Sequence, residues 1–266
     1  MTATGVAVAG LALNFAEISD IGGRQSNQDA RSHSMREGKA LFVVADGAGG
    51  HDGGELAAKT VVAAIASSFD ADNAFNVAAM QAHIDAAIAD VRAAKIGQDH
   101  LKEMSATVAA VLLDLESGQA IWAHMGDTRI YQFRRAKVQR ISKDHSIAQQ
   151  FVDAGFWAYD NIRQHPQRNR LFAASGAEGD TLPDISAPAI RFADGDVFLV
   201  CSDGMWEWAD EDDMERTLAD SASADEWLHK LRAIVVEKAS ASGKARDNCT
   251  AYAIWLGEPE AVTITR

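Results

Sequence analysis

Three uninterrupted apolar runs, each bounded by an aspartate, constrain this chain more than any other feature. Leu41-Phe-Val-Val-Ala45 stops at Asp46-Gly47, and Asp196-Val-Phe-Leu-Val-Cys201 stops at Ser202-Asp203-Gly204. Cys249-Thr-Ala-Tyr-Ala-Ile-Trp-Leu256 is opened by Arg246-Asp247-Asn248. Apolar runs of this length between turn signals read as buried strands. A further pair spans 109–114 and 119–124, turning at Glu116-Ser-Gly118. Val6-Ala-Val-Ala-Gly-Leu-Ala-Leu13 reads as a first strand.

Helical spacing takes over elsewhere. Leu56, Thr60, Ala64 and Ser68 lie beside Ala57, Val61 and Ile65 at four-residue steps. Val77, Met80, Ile84, Ile88 and Val91 form a second stripe, and Trp227, Leu228, Leu231, Ile234 and Val235 a third. Each stripe is wide enough to cover one face of a sheet. Hairpin-like neighbours with intervening helices imply an α+β fold of antiparallel sheets flanked by helices, not a strict βαβ alternation.

No repeat, proline-rich linker or low-complexity tail divides the 266 residues, so 1–266 reads as a single domain. The net charge of −13 argues against a nucleic-acid partner, which calls for a basic stripe. Two cysteines, Cys201 and Cys249, are too few for a disulfide framework and form no CxxC pair, which points to a reducing compartment. No Lys or Arg precedes Arg24, and the early apolar stretch is too short to span a bilayer. The expectation is a cytoplasmic monomer without a membrane span.

A carboxylate directly after a buried strand is held on rigid backbone at the sheet edge. The glycine behind it permits a sharp turn at positive φ and a close approach of the carbonyl to a ligand. One such Asp-Gly is commonplace; two copies with the same apolar lead-in, plus Asp247 at a strand start, suggest a shared task. Hard oxygen donors without a Cys/His cluster suit Mg²⁺ or Mn²⁺ rather than Zn²⁺.

Ser19-Asp-Ile-Gly-Gly-Arg-Gln-Ser-Asn-Gln-Asp29 resembles the opening motif of bacterial type 2C protein phosphatases, the PPM family. Phe42-Val-Val-Ala-Asp-Gly-Ala-Gly-Gly-His-Asp-Gly-Gly-Glu55 is similar to their metal loop. Further matches follow in family order: Met104-Ser-Ala-Thr107, Met125-Gly-Asp-Thr-Arg-Ile-Tyr131, Lys143-Asp-His-Ser146, His165-Pro-Gln-Arg-Asn169, Cys201-Ser-Asp-Gly204 and Arg246-Asp-Asn-Cys-Thr250.

The resemblance implies a four-layer αββα sandwich with two central antiparallel sheets and a flap at about 143–185. It implies metal-dependent hydrolysis of phosphoserine and phosphothreonine in proteins, opposing a bacterial kinase, with a phosphorylated kinase or kinase target as partner. Asp46 would bridge two Mn²⁺ or Mg²⁺ ions, the Gly47 carbonyl would join one of them, and Asp203 and Asp247 would complete the other. Asp29 would act on the ions through bound water, Arg24 would hold phosphate, and Asp127 with Asp203 would hold a third ion. Two cations sharing a carboxylate sit about 3.5–4 Å apart and lower the pKa of a bridging water from near 16 toward about 7. The hydroxide so formed would attack phosphorus in line. The planar fork of Arg24 suits a phosphate because it donates two parallel hydrogen bonds and stays charged.

The chain departs from the family pattern at Gln28, where many members carry Glu, and at Ser105-Ala106, where Gly-Thr is usual. Ala48 stands where animal members carry their histidine acid, which leaves His51 as the candidate acid. For Asp127 the bare residue pattern offers another reading, a turn aspartate paired with Arg129. Cys201 and Cys249 read as buried core thiols, Trp206 and Trp208 as packing residues, and Arg134, Arg135 and Lys137 as a solvated turn. No ligand role falls to His145 or His165. Two other functions compete: an inactive member that binds a phosphoprotein, and a different metal hydrolase acting on small molecules or nucleic acid. Loss of Asp46, Asp203 or Asp247 would favour the first, and none is lost; the acidic charge weighs against a nuclease.

Overall fold

The computed structural model describes residues 4–7, 11–177 and 182–257, with side chains from Leu11 onward except at 50–52. Among these, one sheet runs in the order β1 (Thr4–Ala7), β2 (Ala12–Asp20), β13 (Cys249–Leu256), β12 (Val197–Cys201), β8 (Arg129–Arg134) and β9 (Lys137–Ile141). The other runs β10 (Asp184–Ile185), β7 (Gln119–Met125), β6 (Val108–Asp114), β4 (Lys39–Ala48) and β3 (Asp29–Arg36). Two short strands join its flanks: β11 (Ile190–Arg191) pairs with β7, and β5 (Ser105–Ala106) with β4. All pairings are antiparallel.

The apolar runs are continuous because both of their faces are covered. Along β4, Leu41, Val43 and Ala45 turn toward α1 (Gly50–Ala71) and α2 (Val77–Lys95), while Ala40, Phe42 and Val44 turn toward the other sheet. Along β13, Cys249, Ala251, Ala253 and Trp255 meet the helices, and Tyr252, Ile254 and Leu256 fill the space between the sheets. Alternation at period two therefore places every residue of the run in one of two cores. Replacing Phe42, fully enclosed between the sheets, by alanine would cost about 3–5 kcal/mol.

The outer layer on the first sheet contains α4 (Asp203–Trp206), α5 (Glu211–Ala219) and α6 (Ala224–Ser242); α3 (Ile147–Asp153) lies in the segment after β9. Trp227, Leu228, Leu231 and Val235 of α6 form its buried stripe, as their spacing predicts. Ser223 caps α6, its hydroxyl accepting from the Glu226 amide at 3.1 Å, and Gly243 closes it at φ 69°. The result is helices, sheet, sheet, helices, the expected four layers. None of the described helices is long and apolar enough to cross a membrane.

Three expectations need correction. Val6–Leu13 is not one strand: Val6 pairs with Leu13 and Ala7 with Ala12, so the stretch folds back on itself as a hairpin whose residues 8–10 lie outside the described residues. On α1 the buried stripe is Ala57, Val61 and Ile65 with Ala58 and Phe69, whereas Leu56 is exposed, because the sheet reaches only one side of the helix. Arg134 is not simply a solvated turn residue. Its Nε and Nη2 donate to the two carboxylate oxygens of buried Asp196, both at 2.7 Å.

Candidate active site

The two sheets bring separate stretches of sequence to one end of the sandwich. Asp46 sits near the end of β4, and Asp29, at the start of β3, is its cross-strand partner. Asp203 opens α4 directly after β12, and Asp247 immediately precedes β13. Asp127 lies in the turn from β7 to β8. A cleft of about 570 Å³ is lined by Asp46, Gly47, Asp127, Asp203 and Asp247 together with Arg24. Asp29 lies beneath it, buried, its Oδ2 accepting from the Ser202 hydroxyl at 2.7 Å.

Neither Asp-Gly is the positive-φ turn anticipated from sequence; neither Gly47 nor Gly204 has positive φ. β4 continues through Asp46 and Gly47 to Ala48, where both Gly47 and Ala48 pair with β5. The glycines are required by proximity. A Cβ on Gly47 would lie 1.9 Å from the Gly54 carbonyl oxygen, and one on Gly204 would lie 2.0 Å from the Asn248 carbonyl oxygen. Each therefore lets two backbone segments close on the cleft.

Hydroxyl and amide side chains fix the aspartates in place. The Asp46 amide donates to Thr107 Oγ1 at 2.8 Å, the Thr107 amide donates to the Asp46 carbonyl at 2.8 Å, and Thr107 Oγ1 lies 2.6 Å from Thr128 Oγ1. Asn248 clamps the 21–28 loop: its Oδ1 accepts from the Gln28 amide at 2.8 Å, and its Nδ2 donates to the carbonyls of Ile21 and Ser26. Sequence reasoning about the Arg246–Thr250 motif rests on Asp247 and overlooks Asn248. An amide side chain beside a ligand-type aspartate, which both donates and accepts, was the available signal. Arg24, on the clamped loop, donates to Asp247 Oδ2 and is half exposed to the cleft. His51 falls in the first turn of α1, but its side chain lies outside the described residues.

Asp127 does not pair with Arg129, as its bare pattern would have it. Arg129 is buried and turns instead to Asp144, its Nε and Nη2 donating at 2.8 and 2.7 Å, while its guanidinium lies 3.5 Å over the Trp206 ring. Trp206 Nε1 donates to the Asp127 carbonyl at 2.8 Å, so this tryptophan packs, and it also fixes the Asp127 main chain.

The carboxylates push one another toward the protonated state. Burial, then the charges of Asp29, Asp203, Asp127 and Asp247, hold the Asp46 carboxyl well above the usual range, although part of the residue remains open to the cleft. Burial and then Asp203 and Asp144 do the same to Asp127, against the opposing charge of Arg129. Asp29 is pushed up to about 7 and Asp203 to about 6, burial being the first cause in each. Oδ1 of Asp29 and Oδ1 of Asp203 are buried without a hydrogen-bond partner. Oxygen-only donors, uncompensated negative charge and unsatisfied carboxylate atoms fit hard divalent cations.

The cysteines stand apart from this chemistry. Cys201 and Cys249 are free, buried in the core between the first sheet and its helices, and burial pushes both thiols up. Such thiols are poor nucleophiles.

The profile of the protein phosphatase 2C family matches residues 19–239. The protein phosphatase PhpP of Streptococcus pneumoniae is 30% identical over 193 residues, covering 71% of this chain and 77% of that one. The crystal structure of the Mycobacterium tuberculosis serine/threonine phosphatase PstP/Ppp superposes with a TM-score of 0.80 at 28% identity, covering 92% of this chain and 99% of that one. A structure of the PstP catalytic domain in complex with two manganese ions gives a TM-score of 0.79 at 25% identity, covering 93% and 100%. Fold, converging carboxylates and family profile agree, and the chain belongs to the protein phosphatase 2C family.

Proposed function

We propose that the cleft hydrolyses phosphoserine and phosphothreonine in proteins with the help of divalent cations, Mn²⁺ or Mg²⁺. Asp46, the Gly47 carbonyl, Asp203 and Asp247 would hold them, and Asp29 would act through water. The observation that carries this reading is the convergence of four aspartates from distant parts of the chain on one cleft, with Asp29 buried beside them, where Arg24 is the one lining arginine or lysine among the described residues. When bound, the cations supply an activated water at neutral pH and neutralise charge on the phosphoryl group.

The chain's own contribution is positioning. The Asp46 main chain is held on both its amide and its carbonyl by Thr107, which fixes the point from which the central carboxylate projects. Arg24 exchanges Asp247 for the phosphate, donating two hydrogen bonds to its oxygens and orienting phosphorus toward the carboxylates. Asn248 keeps the Arg24 loop against the sheet while that exchange occurs. The segment 143–185 would act as a flap, since Asn169 and Leu171–Ala174 line one wall of the cleft.

Asp127, next to Asp203 in the field of the site, would hold a third, weaker ion. Asp127→Ala should preserve two bound ions and slow phosphoprotein hydrolysis; unchanged turnover and stoichiometry would remove that ion. We place the protein in the cytoplasm as a monomer, acting on a kinase or a kinase's targets. The free, buried cysteines support a reducing compartment.

The test compares a phosphothreonine peptide, a sugar phosphate and DNA as substrates. Chelator should abolish phosphate release from the peptide, and excess Mn²⁺ should restore it. Full activity after chelation, or preference for the sugar phosphate or DNA, would overturn the reading.

A further inference from the structure

We infer that His124, His145 and Asp184 form a separate site for a borderline transition-metal cation such as Zn²⁺ or Co²⁺, at the base of the flap. The three residues come from different elements. His124 is on β7, Asp184 is its direct cross-strand partner on β10, and His145 is in the loop after β9. One donor atom from each lies within 4.8 Å of the other two. His145 Nε2 is 3.3 Å from Asp184 Oδ2, and the two imidazole rings are 4.8 Å apart.

The state of the rings is what makes this more than a cluster. His124 and His145 are both more than nine-tenths buried, and Nδ1 of each has no hydrogen-bond partner. His124 Nε2 lies 2.7 Å from the Lys143 carbonyl, which only accepts, so Nε2 carries the proton. Its Nδ1 is therefore a lone pair. Burial lowers the pKa of this ring and keeps it neutral. A neutral imidazole whose other nitrogen donates to a backbone carbonyl is the form in which histidine binds a metal. Two imidazoles and one carboxylate suit Zn²⁺, with a fourth position left for water. Tetrahedral donors sit about 3.3 Å apart around Zn²⁺, so the ligands would close by at most about 1.5 Å. Asp184, two-thirds exposed on a two-residue edge strand, has the freedom to do so.

This donor set differs from the oxygen-only cleft, so the two places select different ions. An ion here would tie both ends of the 143–185 segment to β7. It would also stiffen one cleft wall, because the His145 carbonyl accepts from the Phe172 amide and its ring stacks on Phe172.

The experiment adds Co²⁺ to protein whose carboxylate cleft is saturated with Mn²⁺, and follows visible absorption. Four-coordinate Co²⁺ with nitrogen ligands absorbs intensely, whereas an octahedral oxygen site absorbs weakly. We expect an intense band saturating at one equivalent, displaced by Zn²⁺ and weakened more than about tenfold in affinity by Asp184→Asn. Asp184 is exposed, and circular dichroism is to be used to check that this variant folds; His145→Gln should remove the band entirely. Absence of the band in the wild type, or its survival in both variants, overturns the site. So does a band lost in Asp203→Asn but kept in Asp184→Asn, which would put the ion in the cleft.

Discussion

Two sets of enclosed aspartates lie within the same sandwich and obey opposite rules. Asp144 and Asp196 are buried, and each is gripped by a guanidinium in two-point fashion, Asp144 by Arg129 and Asp196 by Arg134. Asp29, Asp46, Asp127 and Asp203 have no ion pair among the described residues, and each carboxyl is shifted upward. The first set solves the cost of burying charge inside the fold. The second leaves that cost to be met by protonation or, under the proposed function, by cations from outside. The contrast is sharpest between Asp127 and Arg129, which are two residues apart and do not pair.

The largest effect expected from this contrast is on rate. If they hold the ions as proposed, Asp46→Asn or Asp203→Asn should lower kcat/KM on the order of a thousandfold, the loss of several kcal/mol of transition-state stabilisation. Replacing Arg134 by Met should leave kcat/KM nearly unchanged. Near-normal turnover of Asp203→Asn at low Mn²⁺ would erase the distinction between the two sets.

Stability should respond in the opposite sense. Arg129→Met or Asp144→Asn should destabilise by about 3–5 kcal/mol in denaturant titration, because the surviving buried partner is left uncompensated. Asp203→Asn in metal-free protein should instead hold or raise the melting temperature by removing a poorly accommodated charge. A loss of stability in that variant equal to the loss in Asp144→Asn would mean that both carboxylates are structural.

The pH dependence sharpens the same point. Asp29 and Asp203 have raised pKa values in the fold, about 7 and about 6, against about 3.9 in an unfolded chain. Between pH 4 and 7 the folded state thus binds more protons, and its stability falls as pH rises through that window. Metal-free protein should be more stable near pH 5 than near pH 7.5. Asp203→Asn should reduce the slope, and saturating Mn²⁺ should reverse it. Smallest of all should be the effect of replacing both Cys201 and Cys249 by Ala: turnover within about twofold, and a loss of about 1 kcal/mol per site from the small cavities. Burst kinetics abolished by that double change would point to a thiol mechanism.

Much of this was legible along the chain because it is local. Apolar runs doubly covered by neighbours, the α6 stripe and the ordered family motifs all depend on residues close in sequence, and the fold followed from them. Where the reading failed, a distant partner decided. Gly47 and Gly204 are glycine because Gly54 and Asn248 press against them, which no turn rule could reveal. Val6–Leu13 has the composition of a strand, yet backbone pairing folds it into a hairpin. His145 looked like an ordinary flap residue until β7 and β10 brought His124 and Asp184 beside it.

From its sequence alone, this protein was committed to buried strands, covering helices and an aspartate at the edge of each principal run, since those follow from hydrophobicity and periodicity over a few residues. Which aspartates are paired with arginine, and which are not, was settled only by folding. Arg129 is nearer to Asp127 in the chain, but the tertiary packing that lays its guanidinium on Trp206 directs its fork to Asp144. Charge compensation depends on distances of a few ångströms between residues far apart in sequence, and only the packed sheets set those distances.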